Sequence, residues 1–115
     1  MRIDALKYFK NRLKWSDTKI INTLHLPSDT INAWFKKGIV SINNSVLQPN
    51  IQAVIHLLAI HRSLEAMFTD PIQQRMWLST FHPELNVIPE KLMSESSDGL
   101  IFIRHYLDYV GERGA

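Results

Sequence analysis

A chain of 115 residues, 45% hydrophobic and 21% charged, fits one globular, soluble domain or two small modules sharing a core, and excludes a disordered chain. No apolar run approaches the roughly 18–20 residues of a membrane span, and the absence of cysteine excludes disulfides, thiolate zinc sites and thiol catalysis. The net charge of +2 is a cancellation between residues 1–45, with eight basic against three acidic residues (+5), and residues 46–115, with five against eight (−3). A polyanion is therefore attracted to the first part and repelled by the second. Met1-Arg2-Ile3-Asp4 lacks the apolar segment of a signal peptide, so a cytoplasmic protein is expected.

The first forty residues predict three short helices. Ala5, Leu6, Phe9 and Leu13 recur at helical spacing behind Asp4 as cap, and Trp15-Ser16 breaks the pattern. Ser16 or Asp17 is placed to cap a second helix carrying Ile20, Ile21 and Leu24. After the turn His25-Leu26-Pro27, Ser28 is expected to cap a third helix with Ile31, Trp34 and Phe35, which Gly38 ends just beyond Lys36 and Lys37.

Ile39 to Asn50 is rich in Asn and Ser and reads as a connecting loop. A long helix is expected from about Asn50 to Phe68, with Ile51, Val54, Ile55, Leu58 and Leu64 on its buried stripe. Asp70-Pro71 starts the next, which carries Ile72, Met76, Trp77 and Leu78. Residues 82–88 read as irregular, Pro89 opens a short helix through Met93, and Ser96-Ser97-Asp98 caps the last. That helix shows Leu100, Ile103, Leu107 and Val110 and is expected to stop at Gly111. No stretch alternates with period two, so the fold class is all-α.

Asp17 to Gly38 has the spacing of a helix-turn-helix, whose second helix must be fixed at a tight turn to lie in the major groove. With Ile21, Leu24, Leu26, Ile31 and Trp34 inward, the outward set is Ser28, Asp29, Asn32, Ala33, Lys36 and Lys37. Asn32 suits an adenine edge and Asp29 a cytosine amino group. Lys36 and Lys37, with Lys14 and Lys19, suit phosphates, which set register without reading sequence. The turn position, usually glycine, is His25, a residue tolerated at positive φ. The alternative is an αα-hairpin that only packs.

The second part carries Asp70-Pro71, Trp77-Leu78, His82-Pro83-Glu84-Leu85, Pro89-Glu90-Lys91-Leu92-Met93, Gly99, Leu107 and Gly111 in that order. This order resembles the toxin-binding domain of the MbcA/ParS/Xre antitoxins, and the helix-turn-helix before it is similar to their Xre-like part. The resemblance implies an Xre-like region over residues 1–49 and a helical toxin-binding domain over 50–115. It implies a non-catalytic type II antitoxin that occludes a RES-domain toxin acting on NAD, binds its own operator DNA and forms a homodimer. Trp77, Leu78, Leu85, Pro89, Leu92 and Gly99 would form the framework of the toxin-binding domain. Arg104, Tyr109, Gly111, Glu112 and Arg113 would face the toxin. This chain departs from the family at Asn86-Val87-Ile88, where a glycine-containing turn is common. Apart from the resemblance, Trp77, Leu85 and Leu92 read as core residues rather than contacts, Pro89 as a helix start, and residues 111–115 as a frayed terminus.

No Gly-rich phosphate loop, His-Glu-x-x-His or Gly-x-Ser-x-Gly is present, so neither an enzyme nor a cofactor is expected. His56 and His61 lie about 140° apart on a helix, which argues against a shared metal. His56, His61, His82 and His105 read as surface or packing residues. Two rival readings remain: a stand-alone dimeric repressor whose second part only dimerises, and an interaction protein whose helix-turn-helix no longer binds DNA.

Overall fold

Seven helices, α1 (Asp4–Leu13), α2 (Asp17–Leu24), α3 (Ser28–Lys37), α4 (Gln48–Met67), α5 (Pro71–Ser79), α6 (Pro89–Glu95) and α7 (Ser97–Glu112), make up the computed structural model, which describes residues 4–38 and 48–112. The protein is all-α; among the described residues the only β-type pairing is one bridge between His82 and Val87. No helix there is long and apolar enough to cross a membrane.

Local chemistry sets most of the helix ends. Lys14 turns left-handed at φ 55° after α1, and the Trp15 amide reaches back to the Lys10 carbonyl at 3.0 Å. Trp15 then packs edge-on against Phe9, 4.9 Å between centroids, completing a Schellman-type stop with its apolar contact. Ser16 caps α2 by accepting from the Lys19 amide at 3.1 Å. Asp70 caps α5 by accepting from the Ile72 amide at 2.9 Å, with Pro71 at the first helical position. Ser96 Oγ accepts from the Gly99 amide at 3.0 Å and opens α7.

Four boundaries differ from expectation, one of them the end of α6, which runs past Met93 to Glu95. Ser28 does not cap α3: it is already the first helical residue, and the Pro27 carbonyl receives the Thr30 and Ile31 amides instead. The fourth helix begins at Gln48, two residues early; most of the expected loop before it lies outside the described residues. Gly111 does not end α7, which continues to Glu112.

The buried stripe of α4 is also rotated from the expected one. Val54, Leu57, Ile60, His61 and Leu64 are inside, while Ile55 is exposed and Ile51 and Leu58 are only half-buried. Ile51, Ala53, Val54, Ile55, Leu57, Leu58, Ala59 and Ile60 make this helix apolar all round, so pattern alone cannot select its inner side. Its neighbours α1, α2, α5 and α7 do. Similarly Ala5, Ile72 and Met76 face outward.

One core joins both predicted parts. Leu6, Phe9, Leu13, Trp15, Ile20, Leu24, Ile31 and Trp34 from the first share it with Val54, Leu57, Ile60, Leu64, Leu78, Met93, Leu100, Ile103 and Leu107 from the second. α1 packs on α4 and α5, α2 packs on α4, α6 and α7, and the short α6 lies between α2 and α7.

Candidate functional site

The surface of α3 follows from its two apolar anchors. Ile31 and Trp34 are fully buried, which turns Ser28, Asp29, Asn32, Lys36 and Lys37 outward as an exposed polar face, with Ala33 half-buried beside it. Gly38 closes the helix at φ 76°, its amide bonded to the Trp34 carbonyl at 2.8 Å. Asp29 near the N-terminus and the two lysines near the C-terminus both suit the helix dipole.

The turn before α3 is left-handed at His25, φ 58° and ψ 39°. The His25 amide bonds the Ile21 carbonyl at 3.1 Å, ending α2. Its imidazole leaves the turn altogether: Nε2 donates to the Met93 carbonyl of α6 at 2.7 Å.

The basic residues of the first part divide into two groups. Lys14, Lys36 and Lys37 are exposed. Lys19 was expected among the phosphate contacts but is drawn to the opposite neighbour: its Nζ lies 2.8 Å from Glu90 of α6 and 4.7 Å from the Trp15 ring centroid. Lys10 is paired with Asp17 and lies over the Phe35 ring, and Arg12 lies over Tyr8 with one nitrogen 3.5 Å from the Thr69 carbonyl. The positive charge available on this side is therefore smaller than the composition of residues 1–45 implies.

The residues assigned to the second site are dispersed. Arg104 points back toward α4, donating to Asp108 at 3.0 Å and to His56 Nδ1 at 3.0 Å. Burial, then the Arg104 guanidinium, then the neighbouring His105 hold His56 below the ordinary histidine range, partly opposed by Asp108. Tyr109, Gly111 and Glu112 are exposed on the last turns of α7; Arg113 lies outside the described residues. Among the framework residues, Leu78, Pro89 and Gly99 are buried, and Trp77, Leu85 and Leu92 are partly buried against the core.

What α5 and α7 present instead is apolar and aromatic. Trp77 stacks on Tyr106 (6.5 Å, 21°) and lies 4.7 Å from the His82 ring. His82 is held there by donating from Nε2 to the Trp77 carbonyl at 2.7 Å. Phe68, Met76, Trp77, Thr80 and His82 line a shallow groove of about 260 Å³. Met76 is 58% exposed, and Phe102 and Tyr109, seven residues apart on α7, are each about half exposed. Burial, helped by Glu84 and Tyr109, raises the Tyr106 phenol above its ordinary range and keeps it neutral. The loop beside this face turns at Asn86, φ 57°, so asparagine adopts the left-handed conformation that glycine would otherwise supply.

Two polar residues lie inside the fold: His61, which sequence reasoning left open between surface and packing, and Gln74, which it missed. His61 is buried where α1, α4 and α5 meet, 5.1 Å from Phe9 and 5.6 Å from Tyr8 between ring centroids. Gln74 is buried and donates to the Phe68 carbonyl at 2.8 Å. His56 and His61 face different neighbours, and among the described residues no three His, Asp or Glu side chains are grouped to hold a metal ion. No protein-family model matches this chain, and no curated protein matches it significantly.

Proposed function

We propose that the protein is a non-catalytic, DNA-binding antitoxin of the type II class. In this reading α3 faces duplex DNA, and α5 and α7 face a RES-domain toxin whose active site the protein occludes. It acts in the cytoplasm as a homodimer, and operator binding represses its own operon. Asn32 and Asp29 read base edges, while Lys14, Lys36 and Lys37 hold phosphates. The observation that carries the reading is the placement of two chemically different faces on one core: a polar, lysine-bearing α3 face and an apolar, aromatic α5–α7 face. The first suits a polyanion and the second a protein.

Co-expression tests it directly. The product of the adjacent reading frame, if of RES type, is expected to stop growth alone and to be harmless with this chain. Growth arrest that this chain does not relieve would overturn the antitoxin reading. The stand-alone dimeric repressor is the second reading, because the exposed Met76, Phe102 and Tyr109 suit a second copy of the chain as well as a toxin. A neighbouring frame without toxicity, together with salt-sensitive duplex binding by this chain alone, selects it.

A further inference from the structure

We propose that His25 is a positioning residue, which sets the angle at which α3 is presented by capping α6 from across the fold. The proposal rests on reading α3 as the DNA-facing helix. Its basis is that two unrelated demands meet at one residue. The backbone of residue 25 must be left-handed, at φ 58°, for α3 to follow α2, and glycine would meet that demand with less strain. The side chain does what glycine cannot. α6 ends at Glu95, with Ser96 extended at φ −162°, so the Met93 carbonyl belongs to the last turn, whose acceptors lack intrahelical donors. The imidazole Nε2–H supplies the missing donor at 2.7 Å.

A second contact fixes the other end of the same helix. Lys19 reaches Glu90 at 2.8 Å in the first turn of α6. A helix of seven residues, about 10 Å long, is thus held at both ends by the α2–turn segment. Its far side is fixed against α7, where Gly99 meets the Leu92 carbonyl. α6 therefore references the turn, and through it α3, to the remainder of the core.

The test compares His25→Gly and His25→Asn with the unmodified chain. Both residues accept the left-handed turn, and neither reaches the Met93 carbonyl. The readouts are amide hydrogen exchange in Leu92–Glu95 and affinity for two fluorescent duplexes, one selected by the unmodified protein from a random pool and one unrelated. Loss of the tether is expected to speed exchange roughly threefold to tenfold, the scale of one hydrogen bond. The preference for the selected duplex is expected to fall about tenfold, while binding to the unrelated duplex, carried by lysines, stays unchanged. Exchange as slow as in the unmodified chain in both variants overturns the tether. Faster exchange with the duplex preference intact overturns the positioning role. If the unmodified chain binds neither duplex, the DNA-facing reading and the positioning role fall together, and exchange alone then decides the tether.

Discussion

Gly99 of α7 lies against the main-chain carbonyl of Leu92 in α6 so closely that a Cβ at this position would overlap the carbonyl oxygen. The obstacle is backbone, with no side chain that could rotate aside. Gly99→Ala is therefore expected to destabilise the protein by about 2–3 kcal/mol, as overpacking does. Urea unfolding should show a lower midpoint with an unchanged slope. Gly111, with nothing near its missing Cβ, is the control: Gly111→Ala should be neutral or stabilise by up to about 1 kcal/mol.

Below neutral pH, His61 should contribute to the loss of stability. Burial holds its imidazole below the ordinary 6.5, Arg12 of α1 adds to this, and Glu65 of α4 and Gln74 of α5 oppose it. The unfolded chain therefore takes up a proton before the folded one does. Stability is fully present above about pH 6.5 and is lost as pH falls through the lower folded value. His61→Leu should flatten this limb in pH-dependent thermal melts. A residual slope is expected from His56, which is shifted in the same direction. An identical slope in the variant would show that His61 titrates elsewhere.

Lys36 and Lys19 should behave differently on DNA although sequence spacing groups them together. Lys36 is exposed on the α3 face, whereas Lys19 is occupied by Glu90. Lys36→Ala is expected to reduce the slope of log affinity against log salt by about 0.9, one phosphate contact. Lys19→Ala should leave that slope unchanged. Asn32→Ala should leave it unchanged too, while weakening base discrimination by about 1–3 kcal/mol.

The aromatic face can be probed without disturbing the fold. Met76 and Tyr109 are both more than half exposed, so Met76→Glu and Tyr109→Ala should each change stability by no more than about 0.5 kcal/mol. Both are expected to weaken capture of the co-expressed toxin in a pull-down, by tenfold or more if they lie at the centre of the contact. Full capture by both variants would place the contact elsewhere.

The sequence was most informative where a feature is made by neighbours in the chain. Ser16, Asp70 and Gly38 mark helix ends through bonds to residues two to four positions away, Pro71 and Pro89 through their fixed φ at the first helical position, and each acts where spacing predicts. The outward set on α3 was legible because Ile31 and Trp34 are large, apolar and three apart, which fixes the orientation of a ten-residue helix. The inner side of α4 was not legible, because apolar residues surround that helix and only tertiary neighbours select among them. The partners of Lys19, His25 and Arg104 were hidden for another reason: they lie 71, 68 and 48 residues away. No local pattern registers a bond of that range.

Those long separations bear on how the chain comes into being. α6 is too short to persist as a helix alone, and the groups that grip it, on α2 and at His25, are synthesised some seventy residues earlier. Throughout that interval α2 lacks its neighbours α6 and α7 and gains α4 only part-way through, so Ile20 and Leu24 are incompletely covered. A product released before residue 89 would expose that apolar surface, which invites aggregation or proteolysis. A fragment excised at the connection between α3 and α4 would likewise carry only part of the core. Grafting α3 and its turn onto another scaffold therefore requires bringing α6 along.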